Sequence, residues 1–284
     1  MTVYLDGVFL DRAQATVSVD DRGFLFGDGV YEVTRARNGR LFEGERHLRR
    51  LGRSLKGTGI TLPEGVTKTL LGVSERLLRD NALEEGDAIV YLQITRGVAP
   101  RTHYFPPAGT PPTVFLSATR LTPPEEVRAR GAAAITTADL RWGRCDLKTI
   151  NLLPNVLARQ EAVAAGAFEA ILVRDGVLTE GSSSNVFAVI GGTLRTHPAG
   201  PRILAGITRE VLLELAAEVG LAVAEAPIAA DELTQASEVL IAATTADVMP
   251  VVRVDGRAVG DGRPGPVARQ LQRALVARLG PLAT

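Results

Sequence analysis

Two turn dipeptides, Asp6-Gly7 and Asn38-Gly39, each set between β-branched or apolar runs, constrain this chain more than any other local feature. Asp-Gly and Asn-Gly accept the positive φ values of a two-residue hairpin turn. Each therefore closes a pair of antiparallel strands, 3–5 with 8–10 and 31–37 with 40–42. Helical spacing of Leu48, Leu51 and Leu55 predicts a helix over 45–55, and a similar pattern over 66–83 ends before Glu85-Gly86-Asp87. The runs 88–95 and 113–118 are rich in strand formers. Pro123-Pro124 disfavours both helix and central strand and marks a linker over 121–126. Beyond it, strands are expected at 133–137, 169–173, 177–180, 186–190 and 238–242. Helices are expected at 154–165, 208–219 and 266–279, the second with Ile207, Val211, Leu215 and Val219 on one face. The expectation is an α+β chain of two domains, 1–120 and 127–284. Its 284 residues, 45% of them hydrophobic, suffice to bury both cores.

Charge narrows the function. Lys+Arg and Asp+Glu are equal at 32 each, so no net field draws nucleic acid or an anionic membrane, and small-molecule partners are the default. The lone Cys145 excludes an intramolecular disulfide framework and fits a reducing cytoplasm. The start of the chain lacks the pattern of a signal peptide, no apolar run of membrane-spanning length occurs, and no metal-ligand spacing is visible.

Among the basic residues only Lys56, Lys68 and Lys148 are lysine, the rest arginine. A lysine kept in such a chain is a candidate for chemistry closed to guanidinium, which stays protonated and cannot attack a carbonyl. Lys148 stands out because Arg141 and Arg144, close by in the chain, disfavour a protonated amine there. Glu180, opening Glu180-Gly181-Ser182-Ser183-Ser184-Asn185 at the end of an expected strand, could hold a pyridinium nitrogen protonated, with small residues that let a ligand approach. Gly206-Ile207-Thr208 opens an amphipathic helix and offers free N–H groups to a phosphate. Thr244-Thr245 and Arg50 could add donors, although a Thr N-cap, a turn and a solvated helix face explain the same residues. Arg101-Thr102-His103, with Tyr31, could trap a carboxylate. His47 and His197, lacking comparable neighbours, read as structural.

In this order the pieces resemble the fold-type IV pyridoxal-phosphate enzymes, nearly end to end. Within that family the D-amino acid aminotransferase branch is the most similar. The match rests on Phe26-Gly27-Asp28-Gly29-Val30-Tyr31-Glu32, Thr95-Arg96-Gly97, Arg101-x-His103, Arg141-Trp142-x-Arg144-Cys145-Asp146-x-Lys148 and Thr179-Glu180-Gly181-Ser182-Ser183-Ser184-Asn185. The resemblance implies a small α+β N-terminal domain and a C-terminal pseudo-barrel domain that binds pyridoxal 5'-phosphate. It makes Lys148 the Schiff-base lysine and proton shuttle, and puts Glu180 on the ring nitrogen with Arg141 near it. Leu204 would lie against the ring, with Arg50, Ile207, Thr208, Thr244 and Thr245 around the phosphate. Tyr31, Arg101 and His103 match a substrate-carboxylate trap whose Arg and His come from a partner subunit, which implies a homodimer.

The implied reaction is ping-pong transamination between D-amino acids and 2-oxo acids, such as D-alanine with 2-oxoglutarate giving pyruvate and D-glutamate. A branched-chain L-amino acid or (R)-amine transaminase of the same fold is the first alternative, set apart by Arg101-Thr102-His103. A lyase of the aminodeoxychorismate type and a non-enzymatic phosphate-binding module are the others. Pro154, Asn155 and Ala242-Ala243 depart from the D-specific pattern and bear on substrate breadth.

Overall fold

The structure, a computed structural model, describes residues 1–281. The chain divides into two compact units, Met1–Thr122 with Leu147–Asn151, and Pro123–Asp146 with Leu152–Pro281.

The first unit is an antiparallel six-stranded sheet, β1 (Thr2–Leu5), β2 (Val8–Asp11), β3 (Gly29–Arg37), β4 (Arg40–Leu41), β5 (Asp87–Thr95) and β6 (Thr113–Arg120), in the order β2-β1-β6-β5-β3-β4. Both hairpins form where the turn dipeptides put them, with Asp6 and Asn38 at φ 48° and 49°. Helices α2 (Gly44–Thr58) and α3 (Val66–Asp80) cover the sheet, and Leu51, Leu55, Leu70 and Leu77 join Val30, Val90, Ile94 and Leu116 in one core. Truncating one such buried leucine costs about 2–5 kcal/mol. A five-residue helix, α1 (Arg22–Phe26), capped by the Asp21 carboxylate, has no counterpart in the sequence reading because one turn is too short to show a period.

The second unit is built on a nine-stranded sheet. Its elements are α4 (Glu125–Arg130), β7 (Ala132–Ala138), α5 (Leu153–Ala164), β8 (Glu169–Arg174), β9 (Val177–Gly181), β10 (Asn185–Ile190), β11 (Thr193–Thr196), α6 (Ile207–Glu218), β12 (Val223–Glu225), β13 (Glu238–Ala243), β14 (Asp247–Val254), β15 (Arg257–Ala258) and α7 (Pro266–Leu279). The strand order is β12-β11-β10-β13-β14-β7-β8-β9, with β15 on β14. Gly181 N–H donates to Ser184 O at 2.6 Å, so the sheet's last strand turns back to β10 and the sheet curls. One face buries Ile171, Leu178, Val186, Val239, Ile241 and Met249. Helices α6 and α7 pack on β13, α7 also on β14, and Phe187 and Leu240 are buried as well, which is why β10 and β13 read as unbroken apolar runs.

Three features differ from expectation. The 121–126 segment is no free linker throughout, since α4 begins at Glu125 with Pro124 as its N-cap. Nothing along the chain announces β14, because Pro250 reads as a strand breaker. Pro250 lies opposite Leu240 of β13, while pairing with β7 starts at Val251, so its missing N–H interrupts no ladder on that side. Lastly, the second domain does not run unbroken from 127, because Leu147–Asn151 groups with the first unit. No helix among the described residues is long and apolar enough to cross a membrane.

Candidate active site

Lys148 sits on a segment stitched to the first unit. Its carbonyl accepts from Tyr31 N–H at 3.0 Å, Ile150 N–H donates to Gly29 O at 3.1 Å, and Lys148 N–H donates to the buried Ser54 hydroxyl of α2 at 3.0 Å. Close approach explains a glycine inside α2, since a Cβ on Gly57 would fall 2.4 Å from a methyl carbon of Leu147. The half-buried Lys148 therefore has a fixed backbone, and its Nζ lies 4.0 Å from the centre of the Tyr31 ring, a cation–π distance. Tyr31 in turn faces Tyr91 at 5.9 Å. Burial, with Tyr31 beside it, pushes the Tyr91 phenol up to about 12, so it stays a hydroxyl and donates to Gln93.

Beneath this pair lies a buried cluster that the sequence reading assigned only in part. Arg50 donates from Nε and Nη2 to the two oxygens of Glu32 at 2.8 and 2.7 Å, and His47 Nδ1 meets the same carboxylate at 2.8 Å. Burial would raise the Glu32 carboxyl, but Arg50 and His47 outweigh it and hold it down at about 2. Burial moves His47 the other way, lowering it, with Arg50 and Lys148 adding to that and Glu32 opposing it. His47 is thus no isolated structural histidine. The signal was present in α2, where His47, Arg50 and Ser54 share the buried face with Leu51 and Leu55.

Arg101 and His103 lie exposed in the loop between β5 and β6, both against Phe26, with the guanidinium carbon at 5.2 Å and the imidazole at 5.7 Å from its ring. Arg22 holds this loop by donating to Thr102 O at 2.8 Å, and Arg96 stacks on Phe105 at 3.6 Å. Among the described residues no hydrogen bond or ring contact joins Tyr31 to Arg101 or His103 within the chain.

In the second unit Glu180 is buried near the end of β9 and surrounded by donors. Arg141 Nη1 bonds Oε1, Asn185 Nδ2 donates to Oε2 at 3.0 Å, and Leu204 N–H reaches both oxygens at 3.1 Å. Asp139, which sequence reading missed, takes the other edge of the same guanidinium, accepting from Arg141 Nε and Nη2 at 2.9 Å each. Burial raises the Asp139 carboxyl less than Arg141 and Thr179 lower it, and it comes down to about 2. The Arg141 guanidinium, lowered by burial, is raised further still by Asp139 and Glu180. Arg144 is closed onto Asp146 at 2.9 Å. The Arg141 and Arg144 guanidiniums are thus each matched by carboxylates of their own unit, so the expected bias on Lys148 has no uncompensated cation behind it.

The serines after Glu180 are not open space for a ligand. Ser182 and Ser184 turn their hydroxyls onto the buried Glu169, Ser184 at 2.8 Å, and Asn155 Nδ2 holds Ser182 O at 2.8 Å. A Cβ on Gly181 would lie 2.1 Å from Ser184 Oγ, so this turn requires glycine. Asn185 links the turn to the next element by donating also to Leu204 O at 2.9 Å, and a Cβ on Gly206 would meet its Oδ1 at 2.1 Å.

That contact sets the start of α6. Its N-cap is Gly206, with no side-chain cap, and Thr208 is buried inside the first turn, so the N-cap reading of Thr208 does not hold. An uncapped helix start presents N–H groups and the positive end of the helix dipole. Asn185 pairs with Ala242 on β13, and Thr244-Thr245 form the turn just beyond that strand. The donor set fits a pyridoxal phosphate, with a buried carboxylate for a ring nitrogen, an uncapped helix start followed by a threonine hydroxyl for a phosphate, and, in the first unit, a lysine amine on a fixed backbone. Among the described residues no cluster of His, Cys, Asp and Glu could hold a metal ion.

The family model for amino-transferase class IV matches residues 29–254. The D-alanine aminotransferase of Bacillus licheniformis is 44% identical over 281 residues, covering 97% of this chain and 96% of its own. That of Staphylococcus haemolyticus is 43% identical, with 95% of each chain covered. Among solved structures, the Escherichia coli branched-chain amino acid aminotransferase superposes with a TM-score of 0.89 at 28% identity, covering 96% of this chain and 93% of its own. The branched-chain aminotransferase of the thermophilic archaeon Thermoproteus uzoniensis, solved with norvaline, gives 0.84 and 28%, with 98% and 95% covered.

Proposed function

This chain belongs to the amino-transferase class IV family, and we propose that it is a pyridoxal 5'-phosphate-dependent transaminase that moves the amino group of D-amino acids, D-alanine foremost, to 2-oxo acids such as 2-oxoglutarate. The observation that carries the reading is the pairing in one chain of an anchored lysine amine, Lys148, with a carboxylate, Glu180, held by Arg141, Asn185 and Leu204. Phosphate binding alone needs neither. D-alanine specificity draws support from the two relatives of that activity and from Arg101-Thr102-His103.

When bound, the cofactor supplies an aldehyde for amine exchange and a protonated ring that withdraws electrons from the substrate's Cα. Lys148 Nζ would be the base that takes the proton from the substrate's Cα and the acid that hands it on, from the same side, to the carbon that receives the amino group. Glu180, held by Arg141 and the Leu204 N–H, would keep the ring nitrogen protonated, with Leu204 the residue to lie against the ring. Arg50, fixed by Glu32 in the first unit, would offer the phosphate a cation, and in the second unit the N–H groups of Ile207 and Thr208, the Thr208 hydroxyl, Thr244 and Thr245 would offer it donors. Tyr31 binds the substrate carboxylate together with Arg101 and His103 of a second copy of this chain. Because Lys148 works from one side, the placement of carboxylate and side chain decides handedness.

A homodimer suits the exposed apolar residues of α5, Leu153, Val156, Leu157 and Val163, more than half exposed each. A cytoplasmic location suits the single free Cys145. The test is a half-reaction with D-alanine, L-alanine, L-leucine and (R)-1-phenylethylamine as separate donors, following loss of the lysine-bound cofactor's absorbance. Rapid loss with D-alanine alone is expected. Loss mainly with L-leucine or the amine would overturn the D-specific reading and leave the family's branched-chain or amine activity in its place.

A further inference from the structure

We propose that Asp139 is a positioning residue of this site, a buried counter-charge that takes the paired edge of Arg141 and so leaves Glu180 basic enough to hold a proton on the cofactor's ring nitrogen. The inference rests on the role given to Glu180 above. Arg141 has one edge, Nε with Nη2, suited to a two-point bond with a carboxylate, and such a pair is the tightest that an arginine makes. Asp139 occupies that edge at 2.9 Å through both oxygens, and Glu180 receives Nη1. Arg174 Nη2 adds a second cation 3.0 Å from Asp139, and Thr179, the neighbour of Glu180 on β9, donates to Asp139 at 2.9 Å.

The side chains of Asp139, Arg141, Glu180 and Arg174 are 0%, 7%, 8% and 20% exposed, so their charges act on one another with little screening by water. Two cations and two anions balance. With Asp139 neutral, two guanidiniums would face one carboxylate, Arg141 could turn its paired edge to Glu180, and that oxygen would become a poorer acceptor for the ring proton. Asp139 stays ionised across any working pH, because its neighbours hold it at about 2.

The test uses holoenzyme carrying pyridoxal phosphate labelled with ¹⁵N in the ring, whose chemical shift reports whether that nitrogen bears a proton. Glu180→Gln provides the unprotonated reference. Asp139→Asn is expected to move the signal toward that reference and lower kcat about tenfold, with KM for D-alanine little changed. The double variant Asp139→Asn/Arg141→Gln removes both charges together and is expected to return the signal to the wild-type side. A folded Asp139→Asn enzyme with an unmoved signal, while Glu180→Gln moves it, overturns the role of Asp139 alone. Where Asp139→Asn does not fold, an unprotonated signal in the double variant overturns it equally. An unmoved signal in Glu180→Gln overturns instead the role of Glu180 and with it the reading beneath.

Discussion

The buried charges of the two units follow one rule of geometry to different ends. In the first unit Arg50 sets its Nε and Nη2 edge on Glu32, and His47 completes the same carboxylate. In the second, Arg141 sets the equivalent edge on Asp139 and has Nη1 on another carboxylate, Glu180. Glu32 and Asp139, the partners in the two-point bonds, are both held at about 2. Such carboxylates anchor. Glu180, at the strand end that the sequence pattern marks, takes Arg141 Nη1 and is the carboxylate proposed for the ring nitrogen.

The largest effect expected is that of Lys148→Ala, which should cut kcat by at least about 10⁴-fold, the upper range for a lost proton-transfer group, with the cofactor no longer covalently held. Single-turnover kinetics and the absorbance spectrum check it. Activity near wild type would end the assignment of Lys148. Next, Glu180→Gln and Glu32→Gln should separate chemistry from anchoring. The first is expected to lower kcat about 10²-fold or more with modest change in unfolding. The second should cost about 3 kcal/mol of stability, because the buried Arg50 loses its two-point bond to Glu32. Denaturant unfolding beside steady-state rates reads both, and equal behaviour of the two variants would break the comparison.

A smaller effect is expected at Arg101, exposed and held over Phe26. Arg101→Ala should raise KM for D-alanine about tenfold, the loss of one charged hydrogen bond, and leave the cofactor's absorbance intact. An unchanged KM would mean that the carboxylate is bound elsewhere.

The smallest effect concerns pH. Burial lowers the folded value of His47 below 6.5, so unfolding favours its protonation as pH drops. Its contribution is present above 6.5 and is lost progressively below it. Glu32 and Asp139, depressed from 4.5 and 3.8 to about 2, add a second loss that begins only near those ordinary values and runs down toward 2. Unfolding free energies between pH 8 and 3 should therefore fall in two stages, and His47→Gln should flatten the first alone.

How far the sequence reaches can be judged from particular elements. The hairpins at Asp6-Gly7 and Asn38-Gly39 and the helix Pro266–Leu279 were legible, because turn chemistry and helical periodicity lie in consecutive residues. Strand β14 was not, since whether Pro250 breaks a strand depends on which neighbour needs its N–H. The serine run was legible as a special turn, but its direction was not, because Glu169, which draws the hydroxyls inward, is 13 residues from Ser182 and on another strand.

By itself the sequence determined the residues that could carry chemistry, Lys148 as one of three lysines amid arginines and the carboxylate opening Glu180-Gly181, since residue type sets which reactions are open. Only the tertiary structure decided which charges meet, Arg50 on Glu32 18 residues away and Arg141 on Glu180 39 residues away. It also moved the Lys148 segment out of the unit that flanks it in the chain. The physical reason is that ion pairing and burial belong to surfaces brought together by packing, on which nearness along the chain has no direct hold.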